Sequence, residues 1–140
     1  MRKFLKLLLI GYFFVSFTGC ISVQMLKDNL VREAKCKEGI TQVYNYPYSD
    51  VYKAIMDVLE KKLHFDIDRR YTNDYSIVSV HFSAFTVIYA YVFNLRKIDE
   101  KSTEVTLRSR GSLNSVSSKD ILDKYLLREL KHLRQNSQGK

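Results

Sequence analysis

Residues 75–110, YSIVSVHFSAFTVIYAYVFNLRKIDEKSTEVTLRSR, decide the fold, because three β-strand patterns follow one another within them. In the last pattern, Val105 and Leu107 lie on one side of an extended chain, and the polar residues between them lie on the other. Polar turns at 83–84 and 99–102 separate the patterns. Strands joined by short turns pair with their neighbours. These three strands, at 75–82, 85–97 and 103–110, and the one predicted before them at 65–71, which ends in a turn at 72–74, therefore predict a four-stranded antiparallel meander.

One strand and a helix are predicted before the meander, whose first strand is at 65–71. Residues 40–46 and 65–71 alternate between apolar and polar side chains, as strands with one buried face do. Between them, apolar residues recur at helical spacing as far as Leu63, and Ser49 or Asp50 can provide the N-cap. This part of the chain therefore predicts the order strand, helix, strand.

A second helix is predicted after the meander. Ser117 and Asp120 resemble a capping box, and an apolar stripe follows at Leu122, Leu126, Leu130 and Leu133. The element order β-α-β-β-β-β-α predicts an α+β two-layer sandwich, in which an antiparallel sheet carries both helices on one face. We expect this domain to span residues 40–135, with a disordered tail at 136–140.

Length and composition agree with one folded domain. The chain has 140 residues, of which 46% are hydrophobic, and this is enough to bury a core without disulfide bonds. One proline and five glycines argue against a disordered or fibrous chain.

The N-terminal residues carry an export pattern. Arg2, Lys3 and Lys6 make the start positive, residues 7–17 are mostly apolar, and small residues lead to Cys20. This is the layout of a secretory signal, and the apolar run is shorter than the roughly 20 residues that a spanning helix needs. We therefore predict a cleaved signal peptide at 1–19, with an uncleaved membrane anchor as the alternative.

Phe17-Thr18-Gly19-Cys20 resembles the cleavage box of bacterial lipoproteins, in which small residues precede an invariant cysteine. The resemblance implies cleavage by lipoprotein signal peptidase and a lipid anchor on Cys20 that carries palmitate-like acyl chains. Ile21 stands where an aspartate would imply retention in the inner membrane. The resemblance thus implies a membrane-anchored protein that faces the periplasm, with the outer membrane favoured over the inner one.

Residues 20–39 are predicted to be a lipidated tether. Leu26, Leu30 and Ala34 recur four residues apart, so a short amphipathic helix that ends near Gly39 is compatible with this segment. Such a helix would lie along the membrane or pack on the domain.

Charge and cysteine content indicate which partners to expect. Loss of the three basic residues of the signal reduces the formal charge from +8 to +5, which suits an anionic membrane surface or an acidic protein. Export argues against nucleic acid. Cys36 would be the only thiol left in the mature chain, and a covalent dimer and an unpaired thiol are both compatible with it.

No catalytic motif is evident. His64, Asp66 and Asp68 share one face of a predicted strand and could ligate a metal, but a solvated strand face has the same pattern. No fourth ligand is identifiable, and the sequence lacks a phosphate-binding loop and a nucleophile elbow. We therefore predict no metal, no cofactor and no enzymatic activity.

Tyrosines and basic residues are the candidates for an interaction surface. Tyr89 and Tyr91 share one face of the long predicted strand, while its other face is also apolar. Either this strand is packed on both sides by helix, tether or a second copy, or the tyrosines form an exposed binding face. Lys131 and Arg134, near the end of the last helix, are the other candidates.

The element order also resembles the helix-grip domains of periplasmic lipoproteins, which implies a role in binding or scaffolding. We therefore expect a non-enzymatic interaction or assembly module with a protein partner in the cell envelope. The alternative is a small binding module that holds an apolar or glycan ligand between sheet and helices.

Overall fold

The computed structural model describes residues 24–81, 89–110 and 117–138. Two helices in it contain π-helical segments. The elements in chain order are α1 (24–36), β1 (Ile40–Tyr44), α2 (Tyr48–Asp57, continued by a π-helical segment Val58–Lys62), β2 (Ser76–His81), β3 (Tyr89–Lys97), β4 (Thr103–Arg110) and α3 (a first turn Ser118–Asp120, a π-helical segment Ile121–Leu126 and an α-helical segment Leu127–Gln138).

The four strands form one antiparallel sheet in the order β1-β4-β3-β2. Three of the four strands predicted for the meander are present as β2, β3 and β4, and β1 adds to the β4 edge. Phe93 pairs with Ile77 on β2 and with Leu107 on β4, so the three side chains share one face of the sheet. The predicted α+β class with an antiparallel sheet is confirmed.

Helices α2 and α3 cover this face of the sheet. They bury the apolar stripes that the sequence predicts, because each helix has one wide apolar face that water would otherwise contact. The core between the two layers contains Val51, Ala54, Ile55 and Leu59 of α2, Ile121, Leu122, Leu126 and Leu130 of α3, and Ile77, Tyr91, Phe93, Leu95, Val105 and Leu107 of the sheet. Two helices on one face of the sheet are thus confirmed.

Helix α1 packs on the opposite face of the sheet. Val31 and Ala34, which are 2% and 0% exposed, form a second buried cluster with Val78, Val80, Ala90 and Val92 of β2 and β3. The amphipathic helix predicted in the tether is therefore real, and it packs on the domain. The helix at 24–36 precedes the domain start predicted at residue 40 and is buried against the same sheet.

The fifth predicted strand, at 65–71, does not form. Its only bridge in the described part of the chain joins Ile67 to Ser79. The chain lies beside β2 only briefly, where the backbone N–H of Asp68 donates to the carbonyl of Val78 at 2.8 Å. The carbonyl of Asp68 then accepts the backbone N–H groups of Tyr71 at 3.2 Å and Thr72 at 3.1 Å, so the chain turns away before a strand forms. The alternating pattern was misleading because a local turn competes with the ladder. The observed order within the described ranges lacks this strand.

Both main helices differ from prediction at one end. Helix α2 begins at Tyr48, and Pro47 is its N-cap with no side-chain cap, so the predicted caps at Ser49 and Asp50 are wrong. The fixed φ of proline, −56° here, already suits a helix start. Helix α3 begins as predicted, since the Ser117 hydroxyl accepts the backbone N–H of Asp120 at 3.0 Å.

The disordered tail was predicted at 136–140, but α3 continues to Gln138, and residues 139–140 lie outside the described residues. The Ser137 hydroxyl donates to the carbonyl of Leu133 at 2.9 Å within this last turn. The signal, the cleavage box and Cys20 lie outside the described residues, as do the predicted turn at 83–84 and the strand residues 85–88. Within 24–81, 89–110 and 117–138, no helix is long and apolar enough to cross a membrane.

Candidate functional site

Tyr91 and Tyr89 point toward the helical layer. Tyr91 is 1% exposed, and its ring stacks on that of Phe65 with the centroids 5.5 Å apart. Tyr89 is half-buried, and its ring centroid lies 6.4 Å from that of Tyr91. Of the two alternatives for Tyr91, packing inside the domain is the one observed, because the ring belongs to the core that α2 and α3 cover.

The other predicted residues do not form a reactive centre. Cys36 is exposed and makes no disulfide. His64 has a φ of 53° and lies before the turn at Asp68, so it shares no strand face with that aspartate. Across residues 24–81, 89–110 and 117–138, no three His, Cys, Asp or Glu side chains are grouped as metal ligands would be.

Lys131 and Arg134 are exposed on α3 but border two different depressions. Arg134 lies beside Tyr46, Asp50 and Lys101, where β1 leads into α2. Lys131 borders a larger groove of about 560 Å³. We call this depression the basic groove and define it by its lining residues, which are Lys62, Asp123, Lys124, Tyr125, Leu127, Arg128, Glu129 and Lys131.

Packing of α2 against α3 creates the basic groove. Lys62 ends the π-helical segment of α2, whereas the other lining residues come from the π-helical segment of α3 and the turns after it. Lys124, Arg128 and Lys131 are four and three residues apart, so they lie on one side of the helix. The buried stripe of α3 that includes Leu126 lies on the other side, so the basic side chains face solvent.

The groove has more positive than negative charge. Lys124 pairs with Asp120 at 2.7 Å, and Lys119 pairs with Asp123. The remaining basic side chains, Lys62, Arg128 and Lys131, form no ion pair with any described residue. Glu129 is the one other acidic residue in the lining.

The paired residues beside the groove remain charged near neutral pH. Hydrogen bonds from Lys124 and then Ser117 hold the pKa of Asp120 below its usual range. The same contact with Asp120 raises the pKa of Lys124. Both shifts favour the charged forms of Asp120 and Lys124, so this pair stays ionised at neutral pH.

A buried tyrosine joins α3 to the sheet next to the residues that line the groove. Tyr44 is 3% exposed, and its hydroxyl donates to the carbonyl of Leu122, in the π-helical segment of α3, at 3.1 Å. Burial, together with the nearby Asp123 carboxylate, raises the pKa of Tyr44 above its ordinary value, so the hydroxyl stays protonated. This contact ties α3 to β1, which is an edge strand of the sheet.

The arrangement can bind an anion but offers no obvious chemistry. Lysine and arginine side chains are hydrogen-bond donors only, and the exposed part of Tyr125 adds an amphipathic ring beside them.

No protein-family model matches the chain, and no curated protein matches it in sequence.

Sequence reasoning selected Lys131 but missed the rest of the groove. The spacing of Lys124, Arg128 and Lys131 could have revealed the basic stripe on α3. Lys62 could not have been found in this way, because only the packing of α2 on α3 brings it to the same surface.

Proposed function

We propose that this chain is a membrane-anchored lipoprotein of the cell envelope that acts as a non-enzymatic interaction or assembly module. It faces the periplasm, and Ile21 favours the outer membrane. The observation that carries this proposal is the short distance along the chain between the anchor and the folded domain. Helix α1 starts at residue 24, four residues after Cys20, and Val31 and Ala34 bury it against the sheet.

The short link restricts where the domain can be. Four extended residues reach about 14 Å at most. A lipid on Cys20 therefore keeps α1 close to the membrane surface, and the sheet and the other helices follow because they pack together. A module held in this way is suited to recruiting a partner at the membrane.

The alternative of a ligand held between sheet and helices has less support. Its space is filled by side chains such as Tyr91, Phe93 and Leu126, which are each 1% exposed. A ligand between the layers would have to displace this core. The exposed basic groove supports a protein-binding role instead.

Mass spectrometry of the membrane fraction tests the anchor. We expect the mature protein to begin at an acylated Cys20 and to partition into detergent, and Cys20→Ser to accumulate as uncut precursor. Cys36→Ser is the matched control, and it should be processed normally because Cys36 lies outside the cleavage box. Uncut and unacylated Cys20 in the wild-type membrane fraction would contradict the proposal.

A further inference from the structure

We propose that the basic groove is the docking site for an acidic segment of a protein partner in the periplasm. The inference rests on the proposed function, because it assumes that the domain is anchored through α1 and presents its opposite side to the partner. It adds the location of the binding surface and the chemistry of the partner.

The charges of the groove call for a negative partner. Lys62, Arg128 and Lys131 are unpaired among the described residues, and Arg128 lies within one turn of both Lys124 and Lys131. Like charges three or four residues apart on a helix repel each other. An acidic segment would relieve this repulsion, and charge complementarity of this kind steers association and selects partners.

The shape of the groove suits an extended segment that also carries apolar residues. The groove is open to solvent, and its volume of about 560 Å³ is large enough for several side chains. Tyr125 is 36% exposed and Leu127 is half-buried, so both offer apolar contact beside the cations. Aromatic residues and arginine are the types that protein interfaces favour.

The position of the groove favours a protein over lipid headgroups. Helix α1, which leads to the anchor, lies on one face of the sheet, while α2 and α3 lie on the other. The groove is on the outer side of this second helical layer, since its basic residues lie opposite the buried stripe of α3. A domain anchored through α1 therefore turns the groove away from the layer nearest the membrane.

Acetylation of lysines tests the site and its occupant together. Mature protein in nanodiscs is treated with a water-soluble acetylating reagent, with or without a peptide of repeated Glu-Glu-Leu units, and each lysine is followed by mass spectrometry. We expect the peptide to slow acetylation of Lys62 and Lys131 but not of Lys35 on α1 and Lys37 directly after it. Equal protection of all four lysines would overturn the proposal, because it would indicate a general charge effect.

Two lipid compositions separate a protein partner from a headgroup. Nanodiscs of phosphatidylcholine alone and nanodiscs with added phosphatidylglycerol should leave Lys62 and Lys131 equally reactive. Protection by phosphatidylglycerol and not by the peptide would overturn the proposal and assign the groove to the membrane. The acyl mass on Cys20 in the same sample is a separate readout, and its absence would contradict the lipoprotein proposal without bearing on peptide protection.

Charge variants supply the affinity test. We expect the triple variant K62E, R128E and K131E to weaken binding of the labelled peptide about tenfold or more, since tenfold corresponds to 1.4 kcal/mol and several charge contacts are lost. The matched control changes the net charge equally on the opposite side of the domain, through R32E and K35E on α1 and K37E directly after it, and should bind normally. Equal weakening by the control would overturn the proposal.

The neutral triple variant K62Q, R128Q and K131Q distinguishes loss of binding from loss of folding. It removes the three charges without adding new repulsion, and all three side chains are exposed, so we expect its melting temperature to be unchanged. Weakened binding with an unchanged melting temperature supports the groove. Unchanged binding by this folded variant would overturn it.

Discussion

Replacement of Tyr91 by alanine should destabilise the domain strongly. The ring is 1% exposed and stacks on Phe65 at a centroid distance of 5.5 Å, between the sheet and the helical layer. Truncation of a buried aromatic residue to alanine costs about 3–5 kcal/mol, because apolar contacts are lost and a cavity remains. For a domain of about this size, 1 kcal/mol shifts the melting temperature by roughly 4 °C, so we expect a drop of about 12–20 °C.

Thermal and urea unfolding followed by circular dichroism measure this loss. Tyr75→Ala is the matched control, since Tyr75 is 73% exposed and its truncation should change stability by no more than about 0.5 kcal/mol. If Tyr91→Ala were no less stable than Tyr75→Ala, the ring could not lie in the core. Tyr91 would then return as a candidate for an exposed binding face.

Two further changes test other parts of the fold. Gly39→Ala should lower the free energy of unfolding by about 1–3 kcal/mol through overpacking. A Cβ at this position would lie 2.7 Å from Thr106 Cγ2 and 2.9 Å from Arg108 Cγ. Denaturant unfolding measures the loss, and an unchanged midpoint would contradict this close approach. A hydrogen bond from Arg70 lowers the pKa of Asp68 in the folded protein. The ionised carboxylate therefore stabilises the fold above the unfolded pKa of about 3.9, and this stabilisation is lost as the pH falls through the lower folded pKa. Asp68→Asn should therefore reduce the loss of stability between pH 5 and 2, and an identical acid profile would count against the Arg70 contact.

Local periodicity was sufficient for much of the fold. The alternation at 103–110 predicted that Val105 and Leu107 face inward, and both are buried, at 0% and 1% exposed. The Ser117 cap and the leucine stripe of α3 were predicted for the same reason, since a helix and a strand each impose a fixed spacing on one apolar face. These features depend on residues that are close together in the sequence.

Competition between local and long-range hydrogen bonds was harder to predict. The pattern at 65–71 favoured a strand, but backbone bonds to the Asp68 carbonyl turn the chain there. Ser49 and Asp50 are residue types that cap helices well, yet α2 begins at Tyr48 with Pro47 at the N-cap and no side-chain cap. Which of two compatible local structures forms depends on what each packs against.

The candidate site also combines residues that local spacing reveals with one that only tertiary packing adds. Lys131 could be selected from the sequence as a basic residue near a helix end, and the stripe of Lys124 and Arg128 is visible at helical spacing. Lys62 joins them only because α2 and α3 pack side by side on the sheet. Charge surplus can be counted from a sequence, but its concentration in one groove requires the fold.

The sequence by itself determined the α+β class, three antiparallel strands of the meander and the apolar faces of the helices, while export and lipidation at Cys20 stay predictions. Only the tertiary structure decided that β1 pairs with β4 and that Tyr91 lies in the core. It also decided that α1 packs on the second face of the sheet, over Val78 and Val92. The physical reason is that periodicity shows which side chains must leave water, whereas only the packed chain decides which other surface they are buried against.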